Sequence, residues 1–434
     1  MPEVAVANAS EAKTVLVLGA GGFLGGFIVA ALRRAGFRVL RGVRETRGAA
    51  DAIGCDLQQW TEPAQWLPAL AGVDAVVNVA GILRETRGQR FAAIHERAPL
   101  ALAQACVDRG VRRLVQISAL GDPRDGEFVA SKHRCDATLL AMPLDVLVLR
   151  PSVVYSASGA YGGTALLRAI AATPLLLPLP AGGSQRFAPL AAEELAELVV
   201  AAMQGGQCGT YEVVGPEALT LREYLAHWRR WLGFPEARVL ALPKALVSAV
   251  VACGDAFGRG PLTGVIWRML QRGNVGATDA HARLLRDFGT APRALVALLA
   301  MRPVQLQDRW QARLHPLAPL LRAMVVALFA LSAWAGFATE SAAIERMAAG
   351  SPLAALHPVA LARVAGVVDG VLALALLLAP GPRVVLAMLA LVLAYTLAFG
   401  IALPALWLDP LGGLAKNLVL LPALAVLAVL SERR

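Results

Sequence analysis

The sequence predicts a doubly wound α/β domain built on a parallel sheet, followed by an all-α domain of four membrane-spanning helices. In the first half, short and nearly continuous apolar runs alternate with helix-like segments, which is the pattern of parallel strands joined by crossover helices. From about residue 316 the chain is almost continuously apolar, in segments close to the ~20 residues that cross a ~30 Å hydrocarbon core.

The elements of the first half are predicted from apolar runs and from the segments between them. The strand-like runs are Val15 to Leu18, 37–43, 75–81, 113–119, 145–151 and 210–215. The helix-like segments are 23–35, 91–109, 131–141 and 192–203.

A glycine-rich turn follows the first predicted strand. Gly19, Gly22 and Gly25 recur at three-residue spacing, and an apolar helix follows them. This order places backbone N–H groups at a helix start, where a dinucleotide pyrophosphate binds, and glycine lets the phosphate approach closely. The alternative, a glycine-rich hairpin, is disfavoured by the strand before the turn and the helix after it. The pattern therefore predicts a Rossmann dinucleotide-binding domain.

The composition argues against several classes of partner. The 434 residues are 57% hydrophobic with a net charge of +10, but no basic cluster with interleaved aromatic residues indicates nucleic-acid binding, and anionic lipid explains the charge better. The five cysteines form no C-x-x-C pair, and the histidines do not fall at metal-ligand spacing, so we expect no metal site. Residues 1–13 are expected to be disordered and to lack a secretory signal, which leaves the first domain in the cytoplasm.

Six motifs in order carry a family resemblance: GAGGFLG, GCDL, VVNVAG, ISALGD, SKHRCD and LRPSVVY. Over about residues 13–300 the chain resembles an atypical short-chain dehydrogenase/reductase. It is most similar to the branch that contains the 39-kDa accessory subunit of respiratory complex I. The resemblance implies a nicotinamide cofactor held at the ends of successive strands. The positions that it implies are Gly19, Gly22, Phe23, Leu24 and Gly25 for the pyrophosphate, Asp56 and Leu57 for the adenine, Val79, Ala80 and Gly81 for the nicotinamide side, Pro151, Ser152 and Val153 for the nicotinamide end, and Gln185 and Pro189 for a substrate-domain element.

The end of the second predicted strand bears on the choice of cofactor. NAD-binding proteins usually place an acidic residue there to hold the ribose 2′-hydroxyl, whereas this chain offers Arg41 and Arg44, with Glu45 one step later. A guanidinium pairs with a 2′-phosphate. We therefore expect NADP(H) to be preferred over NAD(H), with Arg44 the better candidate; the alternative is that both arginines are simply solvated.

The family's catalytic pattern is incomplete. Ser118 and Lys132 stand where the resemblance implies a catalytic serine and lysine, but Phe128 occupies the position of the tyrosine. Phenylalanine has no ionisable proton, so the usual acid–base step cannot occur there. Lys132 can still hold the nicotinamide ribose, and Ser118 is equally well explained as a strand-end hydroxyl. Tyr155 and Tyr161 follow the fifth strand, where packing is the favoured explanation.

The predicted domains are a dinucleotide-binding domain over 14–215, a helical substrate-side and linker region over 216–312, and a membrane domain over 313–434. In the linker region, Trp228 and Trp231 fit either a membrane interface or an amphipathic helix that closes the substrate pocket; the second is favoured. The membrane domain resembles the DoxX-like four-helix family, chiefly through DPLGGLAKNLVLLPAL. Its predicted spans are about 317–337, 359–379, 384–406 and 411–430.

An even number of spans places the C-terminus on the same side as the cytoplasmic domain, which agrees with the positive-inside rule and suggests a bacterial inner membrane. A buried soluble bundle is disfavoured by four such segments in succession. Asp369 lies near the middle of the second span, where a carboxylate is costly. Arg363 and Lys416 are candidate partners, and a packing role is as well supported as a quinone or proton site.

Two functions fit these features. The first is an oxidoreductase at the lipid bilayer that transfers a hydride from NADP(H) to a lipophilic carbonyl or quinone-like substrate. The second is a non-catalytic, cofactor-loaded structural or assembly protein of a respiratory or quinone-related membrane complex. Phe128 is the residue that separates them, and the sequence leaves the existence of an oligomer open.

Overall fold

The computed structural model describes residues 12–256, 263–409 and 413–432. Residues 1–11 of the segment expected to be disordered lie outside this range. The chain divides into two compact units, Met1–Ala312 and Arg313–Arg434, and each is described by itself.

The first unit is built on a seven-stranded parallel sheet with the order β11-β6-β5-β4-β1-β2-β3. Adjacent strands are parallel throughout this sheet. The predicted doubly wound α/β fold is therefore confirmed. The strands of the chain are β1 (Thr14–Leu18), β2 (Arg38–Val43), β3 (Ala52–Gly54), β4 (Ala75–Asn78), β5 (Arg113–Ile117), β6 (Asp145–Pro151), β7 (Val154–Tyr155), β8 (Leu176–Pro180), β9 (Arg186–Phe187), β10 (Leu190–Ala191), β11 (Gly209–Val213), β12 (Leu219–Thr220) and β13 (Arg238–Leu242).

Helices cover both faces of this sheet and continue into the second unit. They are α1 (Phe23–Arg34), α2 (Pro63–Trp66), α3 (Ala98–Arg109), α4 (Glu127–Leu140), α5 (Gly162–Ala171), α6 (Ala192–Gln204), α7 (Leu221–Trp231), α8 (Lys244–Ala256), α9 (Gly264–Arg272), α10 (Ala280–Phe288), α11 (Leu295–Ala300), α12 (Leu306–Ala338), α13 (Ser341–Ala348), α14 (Pro358–Leu378), α15 (Pro382–Ala402) and α16 (Asn417–Leu430). Two predicted helices differ from the structure: 91–109 enters α3 through a π-helical turn, Ala92–Arg97, and α4 begins four residues before the predicted start at 131.

The alternation of side chains along β1 explains the two layers of helices. Val15 and Val17 pack on one face, in a cluster that includes Leu32 of α1. Leu16 and Leu18 pack on the other face, in a cluster that includes residues of α3. Because successive side chains of a strand point to opposite faces, an uninterrupted apolar strand requires cover on both sides.

The aromatic residues of α7 lie inside the first unit. Trp228 is buried with Tyr155 and Tyr224, and the Trp231 indole N–H donates to the carbonyl of Arg302 at 2.8 Å. These contacts agree with the amphipathic helix and not with an aromatic belt at a membrane interface.

The second unit is helical, with three helices long and apolar enough to cross a membrane among the described residues: α12, α14 and α15. The predicted fourth span, 411–430, is shorter than expected. Its helix, α16, begins only at Asn417 and has 14 residues, because residues 413–416 form turns; residues 410–412 lie outside the described range. Among the described residues, the second unit therefore has three helices of spanning length and one shorter apolar helix, α16, inside the predicted fourth span.

Asp369 in α14 is almost fully buried. Its Oδ2 accepts a hydrogen bond from the Ser332 hydroxyl at 2.5 Å, and its Oδ1 has no hydrogen-bond partner among the described residues. Arg363, one of the two expected partners, instead donates to the carbonyls of Gly336 and Thr339. The hydrogen bond from Ser332 joins α12 to α14 and agrees with a packing role of Asp369.

Candidate functional site

The glycine turn joins β1 to α1 at the centre of the sheet. Gly19 has φ +73°, in the left-handed region, and a Cβ there would lie 2.8 Å from the Cα of Ala80. Gly22 is the N-cap of α1, and within the described part of the chain no side chain caps the helix. The first N–H groups of α1 are therefore available to an anionic ligand. Phe23 and Leu24 follow directly, as the resemblance implies.

The strands β1 and β4 lie side by side where the order of the sheet reverses, so the turn at Gly19 meets the loop 79–81. Ligands of doubly wound sheets bind in the crevice at this switch point. Val79 continues the sheet through a hydrogen bond from its N–H to the Leu18 carbonyl at 3.1 Å. The Ala80 N–H donates to Asn78 Oδ1 at 3.2 Å, which fixes the loop.

Lys132 lies buried beside this loop. A Cβ on Gly81 would lie 3.3 Å from Lys132 Nζ and 3.5 Å from His95 Nε2, so Gly81 leaves room for both side chains. The ammonium donates to the carbonyl of Ile117 at 3.0 Å. Burial lowers the pKa of Lys132, and the neighbouring Asp136 carboxylate opposes that shift. The structure thus places Gly81 and Lys132, two of the expected cofactor positions, next to each other.

His95 is neutral and its tautomer is defined by its partners. The Ile82 N–H donates to Nε2 at 3.1 Å, so Nδ1 carries the proton and donates to the Ser131 hydroxyl oxygen at 2.9 Å. That hydroxyl donates in turn to the Glu127 carbonyl at 2.7 Å. Burial, together with the charge of Lys132, lowers the pKa of His95 to about 2.

Phe128 stands one helical turn before Lys132 on α4, as the tyrosine of the family pattern would. Its ring lies 5.8 Å from the His95 ring and 6.4 Å from the Phe91 ring, centroid to centroid. Phe128 therefore belongs to an aromatic cluster with Phe91 and His95. Its side chain has no ionisable group.

Ser118 does not face the ligand crevice with a free hydroxyl. Its Oγ donates to Asp136 Oδ2 at 2.7 Å, and Arg150 donates to the same oxygen through Nε and Nη2 at 3.0 and 2.9 Å. Asp136 is fully buried. This geometry favours the strand-end role of Ser118 over the catalytic one, because the hydroxyl is already used to hold a buried carboxylate.

The two arginines near the end of β2 differ in their partners. Arg41 forms a bidentate pair with Asp51, with Nε–Oδ2 and Nη2–Oδ1 distances of 2.8 and 2.6 Å. Arg33 also donates to Asp51, and the hydrogen bond from Arg41 is the largest cause of an Asp51 pKa lowered to about 2. Arg44 is exposed and has no hydrogen bond or ion pair among the described residues. Of these two arginines, Arg44 is therefore the one whose guanidinium is not already paired with a carboxylate of the described residues.

The remaining predicted cofactor positions lie at or just after the carboxyl ends of β3 and β6. Asp56 Oδ1 accepts the Gln58 N–H at 3.0 Å in a turn after β3, and Leu57 is 9% exposed. The Pro151 carbonyl accepts the Leu120 N–H, and the Val153 carbonyl accepts the Leu190 N–H. Ser152 donates its hydroxyl to the Asn274 carbonyl at 2.8 Å, which ties the strand end to the segment after α9.

The two tyrosines after β6 have different surroundings. Tyr155 is buried against Tyr224 and Trp228, and burial raises its pKa, which agrees with packing. Tyr161 is 60% exposed and stacks on Phe23, with ring centroids 5.7 Å apart. Tyr161 thus lies over the first residue of α1, a contact that the sequence does not reveal.

The first unit has a polar groove of about 430 Å³ that includes Gln185. The Oε1 of Gln185 is buried without a hydrogen-bond partner among the described residues, while its Nε2 donates to the Pro180 carbonyl at 3.0 Å. Pro189 links β9 to β10. The groove is lined by Ser184, Gln185, Arg186, Lys244, Gln271, Arg272, Gly273 and Val275.

Sequence reasoning missed three residues of this site: His95, Asp136 and Arg150. A signal for Asp136 exists, since it follows Lys132 by four residues and so shares its helix face. His95 and Arg150 give no such signal, because their partners lie on other elements of the fold.

Comparison with known families agrees with both halves of the chain. Residues 15–214 match the model of the NAD dependent epimerase/dehydratase family, and residues 327–425 match that of the DoxX-like family.

Two characterised proteins are similar to the first unit. The mitochondrial NADH dehydrogenase [ubiquinone] 1 alpha subcomplex subunit 9 of Arabidopsis thaliana is 27% identical over 265 residues, which are 52% of this chain and 62% of that protein. The chain thus spans less than two thirds of that relative. The 3-diazoavenalumate denitrifying reductase of a Streptomyces species is 29% identical over 264 residues, 54% of this chain and 85% of that protein.

Solved structures agree on the fold. The UDP-N-acetylglucosamine 4-epimerase from Bacillus cereus superposes with a TM-score of 0.50 at 18% identity, over 68% of this chain and 98% of that one. MoeE5 in complex with UDP-glucuronic acid and NAD does so with a TM-score of 0.50 at 19% identity, over 69% and 99%. The expected short-chain dehydrogenase/reductase resemblance is confirmed: residues 15–214 are similar to the NAD dependent epimerase/dehydratase family, and residues 327–425 are similar to the DoxX-like family.

Proposed function

We propose that this chain is a membrane-anchored, NADP(H)-binding reductase that acts on a lipophilic carbonyl or quinone-like substrate, with its first unit on the cytoplasmic side of a bacterial inner membrane. The observation that carries the proposal is the ionisable group missing at Phe128, beside a buried Lys132 and a neutral His95. These residues stand at the switch point of a dinucleotide-binding sheet, in a chain that also carries long apolar helices.

The residues of the glycine turn fit a dinucleotide. A Cβ on Gly22 would lie 3.1 Å from the Gly19 carbonyl oxygen, and one on Gly19 would strike the backbone of Ala80. Glycine at these positions therefore keeps the turn tight and its N–H groups open to a pyrophosphate. The named relatives, an NADH dehydrogenase subunit and a reductase, support a nicotinamide cofactor.

The side chains around Lys132 suit a substrate whose reduction needs no protein acid. The bound nicotinamide would supply a hydride. Lys132 has three donors, of which one is used on the Ile117 carbonyl, so two remain to hold a ribose hydroxyl and a substrate oxygen. Phe128 carries no proton, and the proton of His95 is held by Ser131. A quinone fits, since its oxygens can take protons from water and its ring can pack on Phe128, which is only partly buried.

Cofactor preference is tested at Arg44. Arg44→Ala should raise the Kd for NADPH by roughly 10–100-fold, the value of a charge-assisted pair of about 1.5–3 kcal/mol, and leave the Kd for NADH almost unchanged. Arg34→Ala, which removes an exposed arginine at the end of α1, is the charge-matched control. Isothermal titration of the full-length wild type and both variants with both cofactors gives six dissociation constants. Equal losses of NADH and NADPH affinity in Arg44→Ala would contradict a role at the 2′-phosphate.

Turnover is tested at Lys132. The full chain in detergent should oxidise NADPH with members of a quinone panel, followed at the cofactor's absorbance. Lys132→Met should lower kcat by at least about tenfold, since it removes the charge that holds the substrate oxygen. The same variant should keep or raise the thermal midpoint, because a buried ammonium is costly and methionine fills the same space.

The alternative is a cofactor-loaded structural protein. The complex I subunit that the chain resembles and the loss of the tyrosine at Phe128 both favour it over a carbonyl reductase of ordinary mechanism. Tight NADPH binding without oxidation by any quinone, together with a Phe128→Tyr variant that gains no activity, would support the structural role and reject the reductase.

A further inference from the structure

An uncharged face of α8 is open to solvent. Residues 245–254 of this helix contain no charged side chain. Leu246 and Val250 are 52% and 64% exposed, and Cys253 is also exposed. Spacings of four and three residues place all three on one side of the helix. On the inner side, Val251 is buried.

The neighbouring elements extend this apolar surface. Strand β13 pairs with β8 and enters α8 directly through Pro243. Leu240 of β13 is 46% exposed, and Leu175 and Leu176 at the start of β8 are 77% and 47% exposed. Large apolar side chains exposed together on adjoining elements mark an interaction surface.

The charges beside this surface are mainly cationic. Lys244 begins α8 and Arg238 begins β13, and both are exposed. Lys244 also lines the polar groove together with Arg186 and Arg272. At the far end of α8, Asp255 is paired with Arg84 at 2.8 Å, which balances its charge.

We propose that α8 and the β8–β13 edge lie in the headgroup region of the bilayer, with Leu246 and Val250 toward the acyl chains. An apolar helix face flanked by lysine and arginine is suited to an anionic membrane surface, and the same chain carries helices long and apolar enough to cross a bilayer. A second copy of the chain is a poorer occupant, because cations beside the face would repel their own copies. The inference rests on the membrane anchoring proposed above, but not on catalysis.

The cysteines of the chain supply the probe. Cys55, Cys106 and Cys135 are buried, whereas Cys208 and Cys253 are exposed. Cys208→Ser therefore leaves Cys253 as the exposed thiol to label, and Cys253→Ser leaves Cys208 as the matched control. Each full-length variant is labelled with a polarity-sensitive fluorophore in vesicles that contain phosphatidylglycerol, with or without lipid that carries a nitroxide near the headgroup. Flotation of the vesicles shows separately that the chain is anchored.

A probe on a helix embedded about 5–10 Å deep should lose at least about half of its fluorescence to the nitroxide lipid and be shielded from iodide. The probe at Cys208 should show the reverse. Leu246→Glu with Val250→Glu should return the Cys253 probe to the behaviour of the control. An anchored chain whose Cys253 probe is quenched by iodide and not by the nitroxide lipid would overturn the proposal. Shielding of this probe from both iodide and the nitroxide lipid, if it depends on the number of protein copies per vesicle, would indicate a second copy and would overturn it too. These fluorescence measurements do not depend on quinone turnover. A failure of the proposed activity can therefore be told apart from a failure of this proposal.

Discussion

Replacement of Gly25 by alanine should destabilise the first unit by about 3 kcal/mol or more, because a well-packed site cannot accept the added methyl group. A Cβ at this position would lie 2.1 Å from the Gly19 carbonyl oxygen and 2.8 Å from the Cα of Ala20. Both atoms belong to the backbone of the turn, so no side chain can move aside to relieve the contact. The helix would have to shift away from β1, and the N–H groups at its start would move with it. NADPH affinity should therefore fall by at least about tenfold.

The next residue provides the control. Gly26 lies on the same helix, is exposed, and has open space where a Cβ would be. Gly26→Ala should therefore stabilise the protein by about 0.5–1 kcal/mol, because alanine loses less backbone freedom in a helix than glycine. Thermal denaturation of both full-length variants, with and without NADPH, measures the two effects. If the two variants shift the midpoint in the same direction, close packing at Gly25 is not what this glycine provides.

The sequence predicts those parts of the fold whose structure depends on neighbouring residues, such as apolar strands and the turns and helices that follow them. The strand–turn–helix unit around Gly19 follows from an apolar run, a glycine that adopts φ +73°, and a helix start that no side chain of the described residues caps. The short strand Ala52–Gly54 could not be predicted in the same way, since three residues, of which two are half-buried and one is exposed, carry little pattern. The late start of α16 has a similar cause: its apolar run is continuous with residues that form turns.

The chemistry of the site was less predictable than its location. Lys132 and Phe128 could be placed from the family resemblance, whose four-residue spacing puts both on one helix. The role of Ser118 could not, because its partner Asp136 is oriented by Arg150 from a different strand. His95 gave no signal, since its low pKa arises from burial and from Lys132 on another helix. Contacts between distant segments determined these roles.

Removal of Arg150 should be the most damaging single change outside the glycine turn. Asp136 is fully buried, and its Oδ2 accepts two hydrogen bonds from Arg150 and one from Ser118. In Arg150→Met the carboxylate stays buried, and its remaining partners are the Ser118 hydroxyl and the more distant charge of Lys132. Breaking a buried ion pair on one side costs about 3–5 kcal/mol, so the thermal midpoint of the full chain should fall by roughly 6–20 °C.

Two further variants separate the cost of an unpaired charge from the cost of a lost contact. Arg150→Met combined with Asp136→Leu should recover most of the stability, because an apolar pair of similar size often replaces a buried ion pair without loss. Arg112→Met removes an arginine that approaches Asp145 only to 3.9 Å at the surface, and should change stability by less than about 1 kcal/mol. A double variant no more stable than Arg150→Met would show that the guanidinium acts through its packing. In the stable double variant, Lys132 loses the carboxylate that opposes the lowering of its pKa by burial, so that pKa should fall further. The proposed quinone reduction should then weaken as pH rises, which a purely structural role of Asp136 would not cause.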